Sequence, residues 1–206
     1  MKKLFLMAIA AVMSLGASAQ LISSNTVTHK ASDNYNRFSV SYTSLSNIDE
    51  DAMSGISAAW TKGIAISKTT PLFIETGLGV NYAWKSEDEY KINWLTATIP
   101  VNLVYKYEIS DGIKLAPFAG IYLRGNLLGE MNIDDDYSQY MDDVNFFDDY
   151  DDGGYEASRF SFGWNIGVGV EINKFYLGLS YGSDLNEFVE DADKIGTWSA
   201  TVGFNF

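Results

Sequence analysis

From Arg159 to Ile172 the chain alternates with a period of two. Phe160, Phe162, Trp164, Ile166, Val168, Val170 and Ile172 fall on one face. Arg159, Ser161, Gly163, Asn165, Gly167, Gly169 and Glu171 fall on the other. The final segment repeats the pattern, with Trp198, Ala200, Val202, Phe204 and Phe206 opposed to Thr197, Ser199, Thr201, Gly203 and Asn205. Such a period marks a strand with two unlike faces. A soluble sandwich would turn the large apolar face to its core and a charged face to water. Here the second face is rich in Gly and Ser, which suits the narrow lumen of a barrel whose apolar face meets lipid.

The same reading along the chain predicts eight strands, at 34–46, 56–67, 72–84, 92–108, 113–131, 159–172, 175–184 and 197–206. Connections after the second, fourth and sixth are short: Ser67 to Pro71, Ile109 to Gly112, and Asn173-Lys174. Those after the first, third, fifth and seventh are longer and acidic. Short turns at one end and long loops at the other are the habit of outer-membrane barrels, with the turns periplasmic and the loops extracellular. The expected fold is all-β: an eight-stranded antiparallel transmembrane up-and-down β-barrel with both termini periplasmic. In the second strand Lys62 shares a phase with Trp60, Ile64 and Ile66, which aims an amine at lipid, and a β-bulge near Gly63 would repair that register. Aromatic residues gather toward both strand ends. Phe38, Tyr105, Tyr107, Phe175, Phe204 and Phe206 lie at one, and Tyr42, Tyr82, Trp84, Phe160, Tyr181 and Trp198 at the other, as in two interfacial girdles.

The first residues do not join this pattern. Lys2 and Lys3 precede an apolar run from Leu4 to Leu15, and Ala17-Ser18-Ala19 forms a small-x-small cleavage site before Gln20. This organisation reads as a secretory signal peptide over 1–19, a polar tail over 20–33 and the barrel over 34–206. The chain is 206 residues long and carries a net charge of -13. Loss of Lys2 and Lys3 leaves 12 bases against 27 acids, about -15. That charge repels nucleic acid. With no cysteine, disulfides, thiolate metal sites and a lipid-modified N-terminal cysteine are all excluded.

Two segments resemble a known family. Thr98-Ile99-Pro100-Val101-Asn102-Leu103-Val104-Tyr105-Lys106-Tyr107 is followed by Leu115-Ala116-Pro117-Phe118-Ala119-Gly120. Together they resemble the outer-membrane β-barrel domain family that includes porin-like and PorT-like proteins. There a central strand often reads as Ile-Pro, a few aliphatics and Lys-Tyr, and the next as Pro, an aromatic, a small residue and Gly. The terminal Phe206 is similar to the signal read by the barrel-insertion machinery. The resemblance spans roughly 34–206 and implies a fold and an outer-membrane location. It implies no single activity, because the family is functionally mixed.

Candidate chemistry is sparse. His29, the sole histidine, precedes the first strand, so enzymes of this size that depend on a histidine at the outer rim are disfavoured. The loop at 133–158 is rich in acids and aromatics and holds no Lys or Arg. Within it Asp148, Asp149, Asp151 and Asp152 are weak candidates for divalent-cation ligands, and their spacing does not fit an EF-hand. The loop as a whole is a candidate surface for a partner. No cofactor is implied. The strand phases direct Arg37, Glu75, Lys106, Lys114 and Glu171 into the lumen near the periplasmic end, with Arg124 and Arg159 nearer the outside. Charges removed from water must pair, so this set is expected to plug the lumen. The expected function is a structural or surface-interaction barrel set in outer-membrane lipid. A small-solute porin-like channel, or an accessory subunit of a secretion or envelope-assembly machine, is the alternative.

Overall fold

The computed structural model describes residues 33–46, 52–67, 69–87, 90–133, 144–147, 157–188 and 194–206. Its strands are β1 (Tyr35–Ser46), β2 (Met53–Ala65), β3 (Leu72–Ser86), β4 (Tyr90–Tyr105), β5 (Tyr107–Ser110), β6 (Ile113–Ile133), β7 (Val144–Asn145), β8 (Phe160–Ile172), β9 (Phe175–Asp184) and β10 (Gly196–Asn205). β5 continues β4 past Lys106, and β7 is a short addition to β6. The remaining staves number eight, all antiparallel to their neighbours. Sheet order runs β4-β3-β2-β1-β10-β9-β8-β6, and pairing of β4 with β6 closes the barrel. The first and last strands meet over ten residue pairs, from Arg37↔Asn205 to Ser46↔Gly196. Backbone bonds between Asn36 and Phe206, at 3.0 and 2.9 Å, continue that seam to the last residue. A closed barrel leaves no strand edge unpaired, which a membrane-spanning sheet requires.

The alternation sorts side chains as the pattern predicts. Large apolar residues such as Phe160, Leu179 and Val202 are exposed on the outside, and Phe160 is 64% exposed. Inside lie Ser39, Thr43, Thr61, Thr96, Asn102 and Asn126, all buried. Aromatic rings mark both rims. Phe175 packs on Phe204 near the turns, and Tyr181 on Trp198 near the loops. The β8–β9 connection is the two-residue turn Asn173-Lys174, where Asn173 takes a left-handed φ of 55°. Asn accepts that conformation at little cost.

Four details of the expected strand plan are corrected. The pairing of β1 with β2 runs without a shift through Asn36↔Lys62 and Tyr35↔Gly63. No bulge rescues Lys62, which is exposed on the outer face. It lies three residues from the turn end of β2, where a long stem can follow apolar surface and carry the amine toward headgroups. The bulge falls between β4 and β6 instead. There Leu95 faces Leu128 and Thr96 faces Asn126, so Leu127 is the extra residue and Leu127 and Leu128 both point outward. Third, β3 and β4 extend to Ser86 and Tyr90, leaving only 87–89 between them. That connection is a tight one and not a long loop. Met53 similarly starts β2 earlier than 56, because its side chain is fully buried inside the loop end of the barrel.

Candidate functional site

The lumen carries the unusual chemistry of this fold, and Arg37 organises its turn end. Alternation along β1 turns Arg37 inward, between β2 and β10. Its Nη1 lies 3.0 Å from Glu75 Oε2 on β3. Its Nη2 donates to Glu171 Oε1 on β8 at 2.9 Å, and its Nε donates to Asn205 Oδ1 on β10 at 2.9 Å. Lys106, at the junction of β4 and β5, reaches the same Glu171 oxygen at 2.7 Å. The Tyr35 hydroxyl donates to Glu75 Oε2 at 2.6 Å. Two cations thus face two carboxylates, and the cluster is formally neutral. Arg37, Glu75, Lys106 and Glu171 are all buried, where only such mutual pairing makes their charges tolerable.

Aromatic rings pack this cluster from both sides. The Arg37 guanidinium lies 3.7 Å from the Tyr176 ring centroid, and Lys106 Nζ lies 3.2 Å from that of Tyr35. Tyr176 in turn lies across Gly169 and Gly178, register partners in β8 and β9. A Cβ at either glycine would run into the Tyr176 ring. The small residues of the inner face therefore make room for the ring that supports Arg37. Phe73, Val104 and Ala116 form a buried apolar group beside it.

A second charged group lies toward the loop end. Arg124 of β6 pairs with Asp184, the last residue of β9. The Tyr122 hydroxyl donates to the other Asp184 oxygen at 2.5 Å. The Arg124 guanidinium also sits 5.1 Å from the Trp94 ring centroid. Above it the lumen becomes apolar, where Leu45, Met53, Ala83, Ile92, Trp94 and Ile195 meet Phe147, Ala157 and Phe188 from the connections. Phe188 is held against Trp94 at 4.8 Å and against Phe146 and Phe147 at 6.3 and 6.2 Å. Backbone bonds from Phe146 N to Gly129 O and from Ser158 N to Phe188 O fasten these connections to one another and to β6. The loop-end mouth is thus covered by an aromatic cap.

Of the lumen residues predicted from the pattern, Arg37, Glu75, Lys106 and Glu171 are brought together, and Arg124 is buried against Asp184 toward the other end. Two are placed differently. Lys114 faces Glu171 and Glu108 in register but is half-buried at the turn-end rim and joins none of the ion pairs among the described residues. Its one-residue distance from the Ile113 strand start leaves the ammonium within reach of water. Arg159 is exposed, just before β8 begins, and does not enter the lumen. Its guanidinium donates to the Phe147 carbonyl at 3.2 Å and stacks on that ring at 4.9 Å, on the outside of the cap. Phe206 is 60% exposed, with its backbone in the closing seam. His29 and Asp148, Asp149, Asp151 and Asp152 lie outside the described residues, as do 1–19 and nearly all of 20–33. Among the described residues no group of three or more His, Asp or Glu side chains is placed to hold a metal.

The pattern reading passed over Tyr35, Tyr176, Asp184 and Phe188. Asp184 was legible, because it continues the inner phase of Tyr176, Gly178, Ser180 and Gly182, and buried Arg124 required a carboxylate. Phe188 was not, since it belongs to a connection with no period.

The sequence matches the family described as outer membrane protein beta-barrel domain over residues 7–206. Solved structures share the fold. The neisserial surface protein A (NspA) is 16% identical, with 85% of this chain and 97% of that one covered and a TM-score of 0.51. The outer membrane enzyme PagL is 15% identical, with 82% and 98% covered and a TM-score of 0.54. Ail, the attachment invasion locus protein of Yersinia pestis, solved with the heparin analogue sucrose octasulfate, is 12% identical. Coverage there is 85% and 100%, with a TM-score of 0.50. At these identities the likeness is one of fold. No curated protein sequence matches the chain.

Proposed function

The chain belongs to the outer membrane protein β-barrel domain family and is an outer-membrane barrel, and on that premise we propose that it is a closed, non-catalytic barrel that acts through its loop end. The observation that carries this reading is the double obstruction of the lumen. The Arg37, Glu75, Glu171 and Lys106 cluster fills one end, and the Trp94 and Phe188 cap covers the other. Eight strands leave a bore that side chains can fill. The orientation follows from the connections: turns and termini periplasmic, loops extracellular, after removal of residues 1–19 as a signal peptide.

Catalysis has little support. The lumen carboxylates are already committed to cations or to Tyr122 and Tyr35, so none is free to act as a base. A surface role has more. Residues 133–158 carry acids and aromatics without a compensating Lys or Arg. Such a loop repels a polyanion of the kind bound by Ail and favours a cationic partner. The barrel-insertion machinery would read the Phe206 end, and outer-membrane lipid would cover the apolar outer face. A liposome-swelling assay tests the closed-lumen reading. Vesicles holding the folded protein should swell in small sugars no faster than empty vesicles, and faster swelling would favour a porin-like channel.

A further inference from the structure

The outer face around the closing seam carries charge of one sign. β9, β10, β1 and β2 lie side by side. Trp60, Phe38, Phe204 and Phe175 stand in one register row across them, all exposed. Turnward of that row the rings give way to amines. Lys62 of β2 pairs in register with Asn36 of β1. Lys174 leaves the β8–β9 turn beside β10, where its carbonyl accepts from Asn205 N at 2.7 Å. Its Nζ lies 5.8 Å from the Phe204 ring centroid, so the stem runs over the outer face. Three strand spacings, about 14 Å, separate β2 from β9, and two long stems can close much of that gap.

Both lysines are exposed, and neither has an ion pair among the described residues. The four strands hold one acid, Asp184, and it is committed to Arg124 inside the lumen. Asp33, just before β1, pairs with neither lysine. Glu108 and Asp111 stand at the turn end of the β5–β6 hairpin, away from these strands. In a chain of net charge -13 this quadrant is cationic.

An ammonium at the edge of hydrocarbon needs an anion to face. The protein supplies none here, whereas lipid phosphates lie at the level just beyond the rings. An anionic leaflet attracts one lysine near its surface by about fivefold in affinity. Apolar surface alone would take up lipid without selecting a headgroup. Two lysines flanking one amide fix a place for it.

We propose that this quadrant is a binding site for one anionic phospholipid. Lys62 and Lys174 hold its phosphate, with Asn36 between them, and its chains lie over Trp60, Phe38, Phe204 and Phe175. With the turns periplasmic, as proposed above, the lipid belongs to the periplasmic leaflet. The bound molecule crosses the pairing of β1 with β10, the junction that joins the first strand to the last.

Native mass spectrometry of the full-length protein folded in detergent tests the site. One copy of phosphatidylglycerol should bind more tightly than phosphatidylcholine, by about fivefold or more. Lys62→Gln/Lys174→Gln should lower the phosphatidylglycerol affinity by roughly tenfold or more. Lys62→Arg/Lys174→Arg should keep it. Lys91→Gln, which removes an exposed lysine at the loop end, should leave it unchanged. Heat-modifiable mobility shows that each variant is folded. Inorganic phosphate at millimolar concentration should not displace the lipid. Equal affinity for the two lipids overturns the proposal, and so does undiminished binding in the Gln double variant. Equal losses in that variant and in Lys91→Gln overturn it too, because they show attraction to charge without a site. Displacement by phosphate would make the ligand the free ion and overturn the lipid assignment. None of these outcomes depends on which way the barrel is inserted or on whether its lumen is closed.

Discussion

Phe188 of the β9–β10 connection stacks on Trp94 inside β4, with ring centroids 4.8 Å apart and planes inclined at 48°. A residue from outside the regular strands thus completes the packing of one of the most deeply buried side chains of the barrel. The opposite face of Trp94 is approached by Arg124 at 5.1 Å. Burial of Trp94 therefore depends on a contact that the strands alone do not provide.

Removing that contact should expose the indole and leave the barrel standing. Loss of a buried Phe side chain costs about 3–5 kcal/mol where the site cannot collapse. In a version of the protein keeping only Trp94 among its tryptophans, Phe188→Ala should shift the emission to longer wavelength and increase acrylamide quenching. The heat-modifiable mobility of the folded barrel should remain. Unchanged emission would mean that the cap does not protect Trp94.

Glu171 should be the most sensitive member of the turn-end cluster, because it alone accepts both cations. Leaving a buried charge unpaired costs about 3–5 kcal/mol. Glu171→Gln should lower the unfolding free energy in detergent by an amount of that order. Combination with Lys106→Met should cost less than the two changes summed, since one partner no longer needs the other. Glu75→Ala should be coupled in the same way to Arg37, the cation it faces at 3.0 Å. Lys114→Met should change stability by no more than about 0.5 kcal/mol, as expected of a rim residue without an ion pair.

Much of this arrangement was legible from alternation alone. Fourteen residues of strict period two at 159–172 fix which side of β8 meets lipid, and the phase of β1, β3 and β4 sends Arg37, Glu75 and Lys106 inward. Parity assigns a face but not a height. Lys114 and Arg159 share the inner phase of their segments yet lie at a rim or beyond it, where water or an aromatic ring satisfies them. The bulge at Leu127 was hidden, because two consecutive leucines suit either register. The cap was hidden for a different reason: Phe146, Phe147 and Phe188 sit in connections, and only the barrel mouth tells aromatic residues there where to go.

Phe206 closes the seam with Asn36 through two backbone hydrogen bonds and keeps its ring outside. Its deletion should remove both bonds and the terminal aromatic together. Most of the protein should then be found degraded or in the periplasm when envelope fractions are compared. Undiminished outer-membrane levels would show that insertion does not depend on this residue.

The proposed orientation has its own test. Protease added to intact cells should cut within 133–158 and spare Asn173-Lys174. Cleavage at Asn173-Lys174 with 133–158 intact would place the turns outside and invert the topology.

The central claim, a lumen shut by two unlike seals, is tested most directly by single-channel recording in planar bilayers. The unmodified protein, Glu75→Ala and Phe188→Ala should each show no steady conductance at neutral pH. Only the double variant, with both ends opened, should pass ions. Steady ohmic current through the unmodified protein, with an ion selectivity that Glu75→Ala alters while the unfolding midpoint stays fixed, would contradict the account and make the Arg37 cluster the lining of a pore.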